Sequence, residues 1–161
     1  MELRLATAVD AEAIRAIYNL EVDTSTATFD LVARTRAEQE AWLKARSGAF
    51  GAVVAEDDGE VMGFASLSPY KDRPAYRTTV EDSVYVRRDR QGLGVGRVLL
   101  THVVEVARAN GFHAVIARIE ASGTASRVLH ERCGFTLVGV EREVGRKFGR
   151  WLDVATMQLL L

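Results

Sequence analysis

Two carboxylates, Glu81 and Asp82, stand side by side in TVEDSVYV (79–86), whose valines and tyrosine otherwise predict a β-strand. Neighbouring positions on a strand face opposite sides of a sheet, so one carboxylate goes to each face. A buried carboxylate is costly unless it is paired, hydrogen-bonded or protonated, so its presence needs a reason. Either one face is wet, or one of the two is a general base in a cleft. A few residues on, the basic turn RRDRQGLGVGR leads into the apolar-striped VLLTHVVEVARA, with Gly92, Gly94 and Gly96 at every second position. Glycines let the main chain approach a ligand closely, and free N–H groups at a helix N-terminus attract anionic oxygens. A carboxylate so close before a candidate pyrophosphate cradle favours the general-base reading.

The rest of the chain bounds what such a site can serve. At 161 residues and 48% hydrophobic, the chain suits one well-buried core, a single domain over residues 1–161. Lys and Arg number 21 against 22 Asp and Glu, which removes the electrostatic case for a nucleic-acid partner. One cysteine, Cys133, excludes an internal disulfide and a multi-cysteine metal site. It reads as a small packed residue rather than a nucleophile. The histidines (His102, His113, His130) show no HxxxH pairing, and no metal is expected. No apolar run reaches membrane-spanning length, and MELRLATAVD lacks the basic-then-apolar plan of a signal peptide. A soluble, cytoplasmic protein without membrane partners is expected.

The elements that must position the site follow in order. Residues 2–6 alternate as a short strand. A helix comes next, capped by Thr7 or Asp10, with Ile14, Ile17 and Tyr18 on one face. The hydroxyl-rich EVDTSTATFD (21–30) reads as a loop, or as a wall supplying Thr24, Ser25 and Phe29 to a small-molecule site. Thr35-Arg36-Ala37-Glu38 is a capping box opening a helix over 36–46. AFGAVVAED and EVMGFASLS predict two strands joined by a hairpin at Asp58-Gly59. The loop SPYKDRPAYRT (68–78) combines Arg, Lys and Tyr, as anion sites often do. After the glycine turn, its helix ends at Asn110-Gly111. HAVIARIEA (113–121) is an apolar run fit for a strand covered on both faces. A short helix spans 124–133, and strands over Phe135–Arg142 and Trp151–Leu160 flank a loop EVGRKFGR. This order predicts a mixed α/β sheet with helices on both faces.

Three owners of the glycine turn compete. A P-loop needs Gly-Lys-Ser/Thr, but Gly96 is followed by Arg97-Val98. A dinucleotide fingerprint needs a third glycine where Arg97 stands, and it belongs after the first strand of a βαβ unit. The third pattern, Q/RxxGxG/A, is met by Gln91-Gly92-Leu93-Gly94-Val95-Gly96. With SVYV before it, a leucine-rich helix after it and LHERCGF further on, the chain resembles the GCN5-related N-acetyltransferases along nearly its whole length. The segments DTSTATF (23–29), TVEDSVYV (79–86), SRVLHERCGF (126–135) and GRKFGRWLDV (145–154) are similar to the phosphinothricin and methionine sulfoximine acetyltransferase subgroup.

That resemblance implies a largely antiparallel sheet of six to seven strands, a homodimer, and acetyl-coenzyme A as co-substrate. It implies direct acetyl transfer to the amino group of a small amino acid or analogue such as phosphinothricin, methionine sulfoximine or methionine sulfone. Coenzyme contacts fall on Val84, Tyr85 and Val86, on Gln91 through Arg97 (Gln91, Gly92, Leu93, Gly94, Val95, Gly96, Arg97), and on Ser126. Glu81 takes the place of the base. Arg73 and Tyr76 match positions that help hold the amino-acid substrate, with Thr24, Ser25 and Phe29 as further wall candidates. His130 falls where it could protonate the leaving thiolate or contact substrate, and a packed histidine is the competing reading. Where the subgroup often has an Asn that contacts the coenzyme arm, this chain has Gly123, so that role is not carried over. The backbone amide of Val84 or Val86 is the expected donor to the thioester oxygen. Two rivals are a non-catalytic acetyl-coenzyme A sensor and an acetyltransferase for protein N-termini or polyamines. A polyamine pocket would be acidic, whereas the 68–78 loop is basic.

Overall fold

The computed structural model describes all 161 residues. Its centre is a seven-stranded sheet in the order β1-β2-β3-β4-β5-β7-β6. The strands are β1 (Glu2–Leu5), β2 (Val53–Asp57), β3 (Glu60–Pro69), β4 (Thr79–Val86), β5 (Ala114–Glu120), β6 (Thr136–Lys147) and β7 (Arg150–Leu160). Every neighbouring pair is antiparallel except β4–β5. The expected mixed, largely antiparallel sheet is therefore what the chain forms.

Alternation along the strands sorts the core into two layers. Val53, Ala55, Ala65, Leu67 and Val80 pack against helix α3 (Val95–Ala109), which contributes Val95, Leu99, Leu100, Val103, Val104 and Ala107. Val54 and Phe64 face the other way, onto Ile14, Ile17, Tyr18 and Val22 of α1 (Ala11–Thr24). Helix α2 (Arg36–Lys44) lies beside α1, opened by the predicted capping box: Thr35 Oγ1 accepts from Glu38 N–H, and Glu38 accepts from Thr35 N–H. Helix α4 (Thr124–Arg132) adds Leu129 to the α3 layer. No helix is long and apolar enough to cross a membrane.

The β2–β3 hairpin turns at Asp58-Gly59 as predicted, both residues at positive φ (48° and 79°), which the twist of a two-residue hairpin requires. Two boundaries depart from expectation. Helix α1 runs through residues 21–24, read as loop from their polarity, because Val22 is buried and Arg88 holds the Glu21 carboxylate. The predicted loop 143–150 is mostly strand, with β6 and β7 continuing to a tight turn at Phe148-Gly149. Register shifts between Leu137 and Gly139 and between Glu141 and Gly145 break the alternation of β6. At the second bulge Glu143 has φ 55° and its N–H donates to Asp153 Oδ1 at 2.7 Å. Bulges of this kind erase the two-residue period by which strands are recognised.

Candidate active site

Strands β4 and β5 pair over three residues, Thr79–Glu81 against Ala114–Ile116, and then part. The register of β4 with β3 decides what the opening contains. Arg87 N–H bonds Met62 C=O, and successive partners step two by two from there. Residues 81, 83 and 85 therefore spend their main-chain groups on β3, while those of Asp82, Val84 and Val86 point toward the departed β5. The amides of Val84 and Val86 thus line a cleft with no strand to satisfy them. Their side chains pack into the α3 layer, and the Tyr85 ring stacks on Phe64 and meets Tyr18 edge-on. Of these three residues it is the main chain, not the side chain, that faces the opening.

Beyond Val86 the chain enters the glycine turn. No main-chain hydrogen bond engages the N–H groups from Gly92 to Arg97, the stretch in which α3 begins. Gly94 caps the helix at φ 85°, a conformation open to glycine at no steric cost. Gly96 is closely approached: a Cβ there would lie 3.2 Å from Leu129 Cδ2, so that side chain would have to give by a few tenths of an ångström, and 3.5 Å from Val86 Cγ2. Gln91 donates from Nε2 to Val86 C=O at 3.4 Å, and Leu93 and Arg97 are exposed. The turn is also strapped to α1. Arg88 grips Glu21 with two hydrogen bonds (2.9 and 3.2 Å) and donates to Thr24 Oγ1 at 2.6 Å. Burial opposes ionisation of Glu21, but Arg88 and Ser25 more than offset it and hold its carboxyl below the ordinary range.

Glu81 sits where β4 and β5 part, opposite Ile116 on one side and Ser68 on the other. Ser68 is the penultimate residue of β3, and the loop that follows Pro69 carries Arg73 and Tyr76, which with Tyr70, Lys71 and Asp72 line one open depression. Tyr70 and Tyr76 meet edge-on at 5.6 Å, with the Lys71 ammonium over both rings. Both Glu81 oxygens accept from Arg118 of β5, from Nε at 2.9 Å and Nη2 at 3.1 Å.

Asp82 points to the opposite face, as adjacency on a strand demands. It is buried against His130 of α4, whose Nε2 lies 2.9 Å from Oδ2. The other ring nitrogen, Nδ1, lies 2.7 Å from Ser126 C=O and must donate to it. With both nitrogens facing acceptors, the arrangement favours imidazolium. Burial disfavours that charge, but Asp82 and the Ser126 carbonyl outweigh it and raise the His130 pKa above the ordinary value. His130 is 3% exposed. Neither nitrogen is free to meet a ligand in this arrangement.

The wall residues divide. Thr24 and Ser25 spend their hydroxyls locally, Thr24 on Leu20 C=O and Arg88, Ser25 on Glu21 and Ala27 N–H. Phe29 is partly exposed and lies against Gly145 at the β6 bulge, where any Cβ would collide with the edge of its ring. Lys147 of β6 donates to Thr28 C=O at 2.9 Å, tying this segment to the β6–β7 hairpin. Burial pulls the Lys147 pKa down against the pull of Asp30, Asp23 and Glu21. Three partners lay outside the sequence reading: Arg118 on Glu81, Asp82 on His130, and Lys147 on Thr28. Arg118 did leave a trace, as a lone cation within the apolar AVIARI run. The other two pairings join residues 48 and 119 positions apart.

A glycine turn with free N–H groups at a helix N-terminus, amides free along a parted strand and a carboxylate at the fork are the arrangement expected of a group-transfer enzyme with an extended, phosphate-bearing donor. The model of the Acetyltransferase (GNAT) family matches residues 14–135, and the chain belongs to that family. It is 44% identical over 161 residues to an L-methionine sulfoximine/L-methionine sulfone acetyltransferase of Pseudomonas paraeruginosa, covering 99% of this chain and 94% of that protein. It is 43% identical to a phosphinothricin N-acetyltransferase of Alcaligenes faecalis, covering 92% of this chain and 77% of that one. Among solved structures, yncA of Salmonella typhimurium with its cofactor acetyl-CoA superposes with a TM-score of 0.96 at 40% identity, covering 100% of this chain and 94% of that one.

Proposed function

We propose that this protein acetylates the amino group of a small amino acid or analogue, of the methionine sulfoximine, methionine sulfone or phosphinothricin type, by direct transfer from acetyl-coenzyme A. The observation that carries the reading is the position of Glu81. It stands at the fork of β4 and β5, next along the strand to the unsatisfied amides of the cleft, and pairs with Ser68 of β3, two residues before the loop that carries Arg73 and Tyr76. The chain's residues fit the co-substrate: six consecutive N–H groups from Gly92 to Arg97 at the positive end of α3 suit a pyrophosphate. Ser126 leaves its hydroxyl free in the first turns of α4. The thioester supplies an activated acyl carbon.

The protein's part is positional and protonic. An amino acid arrives as an ammonium ion, and Glu81, directly or through one water, takes the proton so that the nitrogen lone pair becomes available. N–H of Val84 or Val86 receives the charge that develops on the carbonyl oxygen, at no reorganisation cost because those amides are already aimed into the cleft. Arg73 and Tyr76 hold the polar end of the substrate's side chain, the phosphinate, sulfone or sulfoximine. Its burial and Asp82 partner suit His130 to fastening α4 beneath β4; proton delivery from it would have to pass through that pair.

Free-thiol release from acetyl-coenzyme A over a panel of amino acids and toxic analogues tests the reading. Turnover with at least one member, lost by a factor of about 100 or more in Glu81→Gln, is expected. No release with any amino acid, despite stabilisation by acetyl-coenzyme A, would instead establish a non-catalytic sensor, the reading that the Arg118 grip on Glu81 favours. A cytoplasmic homodimer belongs to the same proposal. Edge strand β6 leaves Leu137, Val138, Val140 and Val144 exposed, with Phe148 and Trp151 beside them, a surface suited to a second copy. Sedimentation equilibrium showing monomer at micromolar concentration would exclude the dimer.

A further inference from the structure

Arg118 has a geometry that a purely structural ion pair does not need. Its guanidinium takes both oxygens of Glu81 side-on, yet its side chain is 53% exposed while that of Glu81 is 20% exposed. The pair bridges β4 and β5 just past their last paired residues, Glu81 and Ile116, at the mouth of the opening. Tyr70, which lines the depression shared with Arg73 and Tyr76, and Glu141 of β6 also act on the Arg118 charge. In free protein the clamp occupies the carboxylate that has to accept a proton. Exposed ion pairs exchange partners readily, because water and competing ions solvate both halves.

The substrate's own chemistry supplies the competitor. In an α-amino acid the ammonium and the carboxylate are attached to the same carbon. An ammonium brought to Glu81 therefore brings its carboxylate within reach of a guanidinium already 2.9 Å from that same residue. A planar guanidinium receives a second carboxylate in the same two-pronged way as the first.

We propose that Arg118 is the anchor for the substrate's α-carboxylate and is handed over from Glu81 to it, so that the substrate itself releases the base. This rests on the amino-acid acetyltransferase reading above and extends it. Once the guanidinium has changed partner, one ammonium N–H bond breaks, an O–H bond forms on Glu81, and the electron pair stays on nitrogen. Arg73 then serves the far, acidic or sulfoximine end. An amine with no neighbouring anion leaves the clamp closed, which makes Arg118 a specificity-determining residue.

The test compares wild type, Arg118→Met and Arg118→Lys in steady-state thiol release with an amino acid that turns over, its α-carboxamide, and the corresponding decarboxylated amine. In Arg118→Met the KM for the amino acid should rise about 10- to 100-fold, the range that loss of a charge-assisted bidentate contact gives. Its kcat/KM for the carboxamide should stay level or rise, because the clamp is gone. The acid-to-amide preference therefore falls at least tenfold, and Arg118→Lys restores part of it. A merely structural role would depress both substrates alike and lower the melting temperature. An unchanged acid-to-amide ratio in a folded Arg118→Met that binds acetyl-coenzyme A overturns the proposal. Wild type inactive on every amino acid would instead overturn the function on which it rests.

Discussion

Removing either half of the buried pair beneath β4 should destabilise the protein, and by an amount that depends on pH. His130 and Asp82 are 3% and 7% exposed, and Asp82 Oδ1 has no partner beyond the imidazole bound to Oδ2. His130→Ala would strand that carboxylate, and breaking a buried pair from one side costs about 3–5 kcal/mol. Losing the edge-on packing of the ring against Phe135, 4.9 Å away, adds about 1 kcal/mol. Asp82→Ala strands an imidazole that must give up its charge, so it too should cost about 3 kcal/mol. The double variant should cost less than the sum, with a coupling of about 2 kcal/mol. The coupling depends on pH with a definite sign. Folding raises the His130 pKa, since Asp82 and the Ser126 carbonyl outweigh burial. The stabilisation is then complete below the unfolded histidine value of about 6.5 and drains away as pH climbs through the raised folded value. Urea denaturation of the four proteins at pH 6 and pH 9 measures it. Additive single-variant effects at pH 6, or a coupling as large at pH 9, would refute the charged-pair assignment.

Two further substitutions probe the ligand-facing parts. Gly94 has φ 85°, so Gly94→Ala should cost about 1 kcal/mol of strain and turn its neighbouring N–H groups away from the cradle. Calorimetric titration should show acetyl-coenzyme A binding weakened about tenfold or more, and unchanged affinity would remove the turn from the coenzyme site. Gly145→Ala drives a Cβ into the edge of the Phe29 ring, so close that the ring has to move. We expect KM for the amino acid to change several-fold while KM for acetyl-coenzyme A stays constant; wild-type values for both would take Phe29 out of the substrate wall.

Local signals in the chain were enough for nearly every element. Asp58-Gly59 fixes a hairpin, Thr35–Glu38 a helix start, and Asn110-Gly111 a helix end, because each satisfies its backbone groups with residues next to it in sequence. Adjacent Glu81 and Asp82 had to part to opposite faces, and do. What was not legible depended on distant partners. The hydroxyl of Thr24 looks available in sequence, and becomes committed once Arg88, 64 residues away, closes on α1. The β6 bulges arise from pairing with β7, so the alternation that would have revealed the strand is lost where the pairing slips. Site partners were missed for the same reason, with spacing carrying no information about which strand lies next to which.

Glu81 and Asp82 share one strand, and each faces one cation, yet their surroundings assign them opposite uses. Arg118 and Glu81 meet at the edge of a water-accessible fork, where an ion pair is worth about 0–1 kcal/mol and can be exchanged. His130 and Asp82 meet beneath α4, where removing either partner costs several times as much. In the proposed mechanism Glu81 gains and loses a proton in each turnover, which the first setting suits; a group that keeps α4 fixed beneath an open strand needs the second. The strand's alternation, by sending consecutive residues into water and into the core, provides both within roughly 3.3 Å of rise along one chain. Changing the length of each carboxylate by one methylene, in Glu81→Asp and in Asp82→Glu, should therefore damage different properties. At position 82 the longer side chain has to be accommodated beside an imidazole already in contact with Phe135 and Ser126, so stability falls. At position 81 the shorter side chain loses reach toward Arg118 and substrate, so turnover falls at little cost to the fold. Urea denaturation and thiol release on the two single variants separate these effects, and a larger loss of stability in Glu81→Asp than in Asp82→Glu would contradict the division of labour.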